Sequence, residues 1–235
     1  MQWRTGSSRE WRNGCGGNIY TVIFDLDGTL IESEQIWRDA RHAFAIDHGG
    51  RWVDGAQERM IGMRTNEWAR YMHDDLGVSL APDAIAKQVV DAVVQVLAKH
   101  VPALPGADDA LARLASAFPL GLATAASRPV AEAALARTGW SKYFKAVVSA
   151  DDVARGKPAP DVYLRALTLM AADPRQTAAI EDSANGIRSA HAAQLAVIAI
   201  PNREFPPDRE ALSLASRVLD TLSELDVTTV DSVLV

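Results

Sequence analysis

The sequence predicts an α/β protein: a doubly wound parallel sheet with a helical unit inserted after the first strand. Three observations support this. Short apolar, β-branched runs recur along the chain, as strands buried on both faces require. Helical stretches separate them, and strand–helix alternation implies crossover connections and parallel pairing. From Ile31 to Leu104 the rhythm stops. That interval reads as helix with no convincing strand, far beyond the ~10–12 residues of a plain crossover.

Residues 1–18 are rich in Gly, Ser and Arg without periodicity, and read as a mobile tail outside the fold. The first strand is Ile19-Tyr20-Thr21-Val22-Ile23-Phe24. Later strands are expected at 120–123, 146–148 and 196–200, with a weaker one at 178–180. Helices are expected at 130–137, 161–169 and 186–193. Pro129 and Pro160 sit near the first turn of two of them, where a missing N–H costs nothing. In the inserted interval, 82–100 is the clearest helix, with Ile85, Val89, Ala92, Val93 and Val96 near one face. The segment Val101-Pro102-Ala103-Leu104-Pro105-Gly106 reads as the return hinge. The expected division is therefore a core of 19–31 and 105–235, and a helical unit of 32–104.

Composition removes several function classes. The chain has 235 residues, with 24 basic against 30 acidic side chains and a net charge of -6. That balance argues against broad binding to nucleic acid or anionic membrane, which wants clustered Lys and Arg. No apolar run approaches the ~20 residues of a membrane helix. A single cysteine, Cys15, excludes an internal disulfide framework and a cysteine-rich zinc site. The N-terminal residues lack the apolar core of a signal peptide, so the cytoplasm is the default expectation. The histidines His42, His48, His73, His100 and His191 are scattered without ligand spacing and receive no role.

Parallel sheets bind ligands at the carboxyl ends of their strands, and the chemistry-bearing residues fall there. The first strand runs into Asp25-Leu26-Asp27-Gly28-Thr29-Leu30. Strand alternation sends Asp25 and Asp27 toward the same side, and Gly28 permits a turn that other residues resist. Two carboxylates this close repel unless a shared proton or a cation relieves them, and Mg²⁺ would also attract phosphate. Thr124 follows the second strand; its hydroxyl could hold an anion at the strand-to-helix turn, or simply cap the helix. Lys157 lies in Arg155-Gly156-Lys157-Pro158-Ala159-Pro160, where most lysines are solvated surface charge. Glu181-Asp182 closes the fourth strand before Ser183-Ala184-Asn185-Gly186, and such a pair ordinarily complements a helix start.

Each ordinary reading holds alone, but together they are hard to sustain. One sheet edge carries carboxylates, a hydroxyl, an ammonium and more carboxylates. That set supplies a metal cage, a nucleophile and groups that neutralise phosphate oxygens. Phosphate-monoester hydrolysis is among the slowest uncatalysed reactions, with ~20 kcal/mol or more to offset. Charge neutralisation and in-line positioning are the tools for it.

Asp25-Leu26-Asp27-Gly28-Thr29, then Thr124, then Gly156-Lys157-Pro158, then Glu181-Asp182, resemble the four ordered motifs of the haloacid dehalogenase superfamily. The resemblance spans Ile19 to about Asp226 and implies a Rossmann-like core. The inserted helical unit resembles that superfamily's C1 cap, and the nearest group is similar to the β-phosphoglucomutase-like sugar phosphatases. The resemblance implies that Asp25 is a nucleophile forming an aspartyl phosphate. It implies that Asp27 protonates the leaving oxygen and then activates water. Mg²⁺ is implied at the Asp25 carboxylate, the Asp27 backbone carbonyl and Asp182, with Glu181 assisting from behind. Thr124 is implied to bind the transferring phosphoryl group and Lys157 to bridge it to the nucleophile. Ala125 stands at the second substrate contact, where many relatives have Ser or Asn.

Departures from the pattern narrow the choice. Asp27 argues against the dehalogenases, which lack that second carboxylate. The mutases usually carry Gly-Val after the second Asp and a cap histidine; here Thr29 follows Gly28, and Trp37 stands where the histidine is expected. Gly62-Met63-Arg64 falls where the cap loop meets substrate, as in the phosphatases. Arg64 is a candidate for a substrate oxygen, with a surface salt bridge as the alternative. Trp37, Trp52 and Trp68 line the pocket or form cap core. The expected function is an Mg²⁺-dependent monomeric phosphatase for a small phosphorylated metabolite, a sugar or polyol phosphate. The alternatives are a phosphosugar mutase and, from another class, a phospho-aspartate switch protein.

Overall fold

The computed structural model describes residues 21–61 and 63–233. The expected tail of residues 1–18, with Cys15, lies outside the described residues, as do Ile19, Tyr20 and Gly62. The strands are β1 (Thr21–Phe24), β2 (Leu120–Ala123), β3 (Phe144–Val148), β4 (Thr177–Glu181), β5 (Ala196–Ala199) and β6 (Arg217–Val218). Between β1 and β2 come α1 (Glu34–Asp47), α2 (Ala56–Met60), α3 (Thr65–Asp74), α4 (Pro82–Lys99) and α5 (Ala107–Ala115). Then follow α6 (Arg128–Thr138), α7 (Asp161–Met170), α8 (Ala184–Ala192), α9 (Arg209–Ser213) and α10 (Val227–Asp231).

The six strands run parallel in the order β3-β2-β1-β4-β5-β6. β1 is central: Val22 pairs with Leu120 on one side and with Ala178 on the other. Its alternating side chains serve two cores, as the strand period of two requires. Val22 and Phe24 join the layer containing α5 and α6, while Ile23 joins the layer containing α7 and α8. The sheet is therefore covered on both faces, which is why its inner strands read as unbroken apolar runs.

The edges differ from expectation. β3 begins at Phe144, two residues before the expected apolar run, because its first residues are partly exposed at the sheet edge. β6 has no counterpart among the expected strands: it is two exposed residues, Arg217 and Val218, held by backbone bonds flanking β5. Pro129 lies in the first turn of α6 as expected, whereas Pro160 is the residue just before α7. In α4 the buried stripe is Ile85, Val89, Val93 and Leu97 with Val90, while Ala92 and Val96 face outward. A strict four-residue spacing drifts about 40° per step round a helix of 3.6 residues per turn, away from the face that mixed three- and four-residue steps would hold.

From Ile31 to Leu104 the regular elements are helices, with Met60, Trp68, Met72 and the α4 stripe at their core. The two chain segments that connect this unit to the sheet are paired with each other. Glu32 N–H donates to Pro102 and Leu104 N–H to Leu30, with Ile31 bridging antiparallel to Ala103. Among the described residues, no helix is long and apolar enough to cross a membrane.

Candidate active site

The carboxyl ends of β1, β2 and β4, with the loop after β3, converge on one buried polar cluster. Asp25 follows β1 and is anchored by its N–H to the Ile180 carbonyl, 3.0 Å away on β4. The chain then turns sharply through Gly28, whose φ is +83°. A Cβ there would lie 2.0 Å from the Asp182 carboxylate, so both angle and space exclude a side chain. Asp182 leaves the end of β4 and accepts the Thr29 hydroxyl at 3.3 Å.

Lys157 is not solvated surface charge. Its ammonium lies 2.5 Å from Asp25 Oδ1 and 2.5 Å from Glu181 Oε1, and all three side chains are buried. Tyr163 from α7 donates to the same Glu181 oxygen at 2.6 Å. The other Glu181 oxygen accepts from the Asp182 N–H at 3.3 Å. The Glu181 carboxylate fills the space a Cβ on Gly186 would need, approaching that point to 1.9 Å. The acidic pair does not cap α8; the Ser183 hydroxyl does, accepting from Gly186 N–H.

Asp27 faces another way. Its carboxylate accepts from the Ser33 hydroxyl and, at 3.4 Å, from the Thr124 hydroxyl. Thr124 in turn accepts the Ala126 N–H at 3.0 Å, so it holds the loop rather than capping α6. Ser127 occupies the residue before α6.

Three buried carboxylates here meet one ammonium. Carboxylate oxygens of Asp25, Glu181 and Asp182 lie within 4.8 Å of one another. Burial pushes Asp25 up to about 7, against the pull of Lys157. Burial, then the charges of Asp25 and Glu181, raise Asp182 well above the ordinary range. Burial raises Asp27 too, offset in part by bonds from Ser33 and Thr124. Burial disfavours the Lys157 ammonium, yet the Asp25 and Glu181 carboxylates outweigh it and hold the group above its usual value. One ammonium does not balance this group, and an oxygen-rich buried set of this kind suits a hard divalent ion.

The helical unit borders the cluster. A cavity of about 60 Å³ between the two is bounded by Asp27, Ala125 and Ser127 from the sheet side and by Trp37, Arg41 and Trp68 from the helical side. Trp37 and Trp68 meet edge to face, with ring centroids 6.0 Å apart. Trp52 is elsewhere, packed edge to face against His42. Arg64 is committed across the boundary: its guanidinium donates to the Ala154 carbonyl at 2.7 Å and to those of Ala150 and Val153 at 3.2 Å. Among the described residues it makes no salt bridge, and it borders the groove that reaches Lys157.

Sequence reasoning passed over Arg41, Ser33 and Tyr163. Arg41 had a visible signal: it falls four residues after Trp37 and four before Ala45, on the buried stripe of α1. Tyr163 reaches the cluster through tertiary packing, whereas Ser33 meets Asp27 from only six residues further along the chain.

A doubly wound parallel sheet with these strand-end groups is the frame of a phosphoric monoester hydrolase. The model of the haloacid dehalogenase-like hydrolase family matches residues 22–200, and the chain belongs to that family. It is 33 % identical over 172 residues to the fructose-1-phosphate phosphatase YqaB of Escherichia coli, covering 73 % of this chain and 91 % of that protein. It is 28 % identical over 206 residues to the bifunctional riboflavin kinase/FMN phosphatase of Arabidopsis thaliana, covering 87 % of this chain but only 54 % of that longer protein. Its fold is similar to the crystal structure of CbbY from Rhodobacter sphaeroides in complex with phosphate. The TM-score is 0.79 at 30 % identity, covering 88 % of this chain and 96 % of the other.

Proposed function

We propose that the protein is an Mg²⁺-dependent phosphatase for a small sugar or polyol phosphate, working through an aspartyl phosphate at Asp25. The observation that carries this reading is the division of labour between two neighbouring aspartates. Asp25 sits among Lys157, Glu181 and Asp182, whereas Asp27 faces the cavity on hydroxyl partners.

An Asp25 oxygen attacks phosphorus in line, and the bond from phosphorus to the leaving oxygen breaks. Asp27 in its carboxylic form gives its proton to that oxygen, releasing the alcohol. Asp27, now a carboxylate, takes a proton from water, whose oxygen attacks the same phosphorus and frees Asp25 and inorganic phosphate. Lys157 and the Thr124 hydroxyl hold phosphoryl oxygens, and Ala125 borders the leaving group. The Asp25 carboxylate, the Asp27 backbone carbonyl and Asp182 would hold Mg²⁺, with Glu181 fixing Lys157 from behind. The metal's contribution is charge neutralisation at the phosphoryl oxygens. Residues 32–104 act as a cap over a core of 19–31 and 105–235, excluding bulk water during transfer. The Arg64 bonds to the core loop support that role.

The test is phosphate release from a panel of phosphorylated sugars and polyols, with Mg²⁺ and with a chelator in its place. Metal-dependent release of phosphate supports the reading. Conversion of a hexose phosphate to its isomer without release would replace it with a mutase.

A further inference from the structure

Arg41 is buried, with 5 % of its surface exposed, at the wall of the cavity beside Asp27. Its guanidinium is clamped between two indoles, 4.8 Å from the Trp37 ring centre and 5.0 Å from that of Trp68. The clamp fixes the plane of the group and supplies cation–π attraction. It does not neutralise the charge. The contact with Gln57 Oε1 is long, at 3.5 Å, and Nε has no partner among the described residues. Glu34 and Asp27 act on Arg41 through charge at a distance, and burial brings it down only to about 10, so it is cationic at neutral pH. Glu34 itself is engaged by Gln57 Nε2 at 2.9 Å.

On the opposite wall of the same cavity, the Ser127 hydroxyl is also buried and without a partner among the described residues. Two unspent polar groups therefore face one small void, on the side of Asp27 where the leaving alcohol must lie. Buried polar groups of this kind are normally satisfied, and a desolvated guanidinium is costly unless an anion meets it. Glu34 and Asp27 offset the charge from a distance, but a neutral hydroxyl would leave the guanidinium without an anion in direct contact. A carboxylate or phosphate, by contrast, accepts from the guanidinium edge and the serine hydroxyl together.

We propose that Arg41, assisted by Ser127, receives a second anionic group on the leaving alcohol, so that the preferred substrates are phosphomonoesters of carboxylated or further phosphorylated alcohols. This rests on the phosphatase reading above and narrows its substrate class. The two tryptophans then act together, holding the guanidinium plane and leaving its edge for the ligand.

The test compares kcat/KM for phosphoglycolate, fructose 1,6-bisphosphate, glycerol 3-phosphate and p-nitrophenyl phosphate, using wild type, Arg41→Gln, Arg41→Lys and Ser127→Ala. Wild type is expected to favour at least one of the two doubly anionic esters over both others by about tenfold or more. The carboxylated ester leading identifies a carboxylate as the ligand, and the bisphosphate leading identifies a phosphate. Arg41→Gln is expected to lower that preference at least tenfold, chiefly through KM, with Arg41→Lys intermediate. Equal or inverted preference in wild type overturns the inference even if no Arg41 variant folds. So does an Arg41→Gln enzyme that loses the same factor on every ester, which would mark a role through Asp27 alone. No release from any ester, p-nitrophenyl phosphate included, overturns the phosphatase reading and this inference with it.

Discussion

Gly28 and Asp182 are fitted to each other: the carboxylate oxygen occupies the place a Cβ on Gly28 would take, 2.0 Å away, in a turn with φ of +83°. The first motif and the last, far apart in sequence, thus meet through the absence of a side chain.

Gly28→Ala is therefore expected to displace Asp182 as well as strain the turn, costing about 1–3 kcal/mol of stability. Loss of Asp182 placement should weaken Mg²⁺ activation about 10–100-fold. A thermal melt together with an Mg²⁺ titration of activity checks both effects.

Lys157→Met removes the ammonium that Asp25 and Glu181 share. Two buried carboxylates then face each other without compensation, which should cost about 3–5 kcal/mol. The phosphoryl oxygens lose a fixed charge, and kcat should fall about 10²–10³-fold. Melts at several Mg²⁺ concentrations and steady-state rates measure the two losses separately.

Arg64→Ala severs the bonds from the helical unit to the carbonyls of Ala150, Val153 and Ala154. Loss of even one charge-assisted bond, about 1.5 kcal/mol, should make opening roughly tenfold more frequent. Hydrogen exchange should speed up around residues 63–67 and 150–155 while the β1 amides stay protected. Unchanged exchange in both segments would show that Arg64 does not hold the unit closed.

Asp226 caps α10, and bonds from the Thr229 N–H and the Thr228 hydroxyl lower its carboxyl to about 2. A folded value below the unfolded one contributes stability that is complete above the unfolded value and fades as pH falls toward the folded one. Asp226→Ala should thus melt below wild type at neutral pH, with the gap narrowing as pH falls from about 4 toward 2. Melts across that range decide it.

Much of this architecture was legible because burial on both faces writes strands as apolar runs, as in Val22–Ile23–Phe24 and 196–199. β6 was hidden for the converse reason: two exposed residues at an edge carry no hydrophobic signature. The site's framework was equally legible, since Asp25, Thr124 and Asp182 each stand where a buried run stops. Lys157 required the structure to show that it turns inward to two carboxylates. Spacing on α1 marks Arg41 as buried, but it does not announce which groups that helix face will meet, and Tyr163 reaches the cluster from α7 in the same way. Arg64 illustrates the limit most clearly. Its position near the substrate groove was readable, but its three carbonyl partners come from a loop about ninety residues later.

The central claim is that Asp25 carries the phosphoryl group. It is tested most directly by rapid acid quench during turnover of a hydrolysed ester, followed by mass analysis of the peptide containing Asp25. The account predicts one acid-stable, hydroxylamine-sensitive phosphoryl group on Asp25 in wild type, none in Asp25→Asn, and loss of phosphate release in that variant. Phosphate release at the wild-type rate by Asp25→Asn, or a phosphoryl group found on another residue, would contradict it.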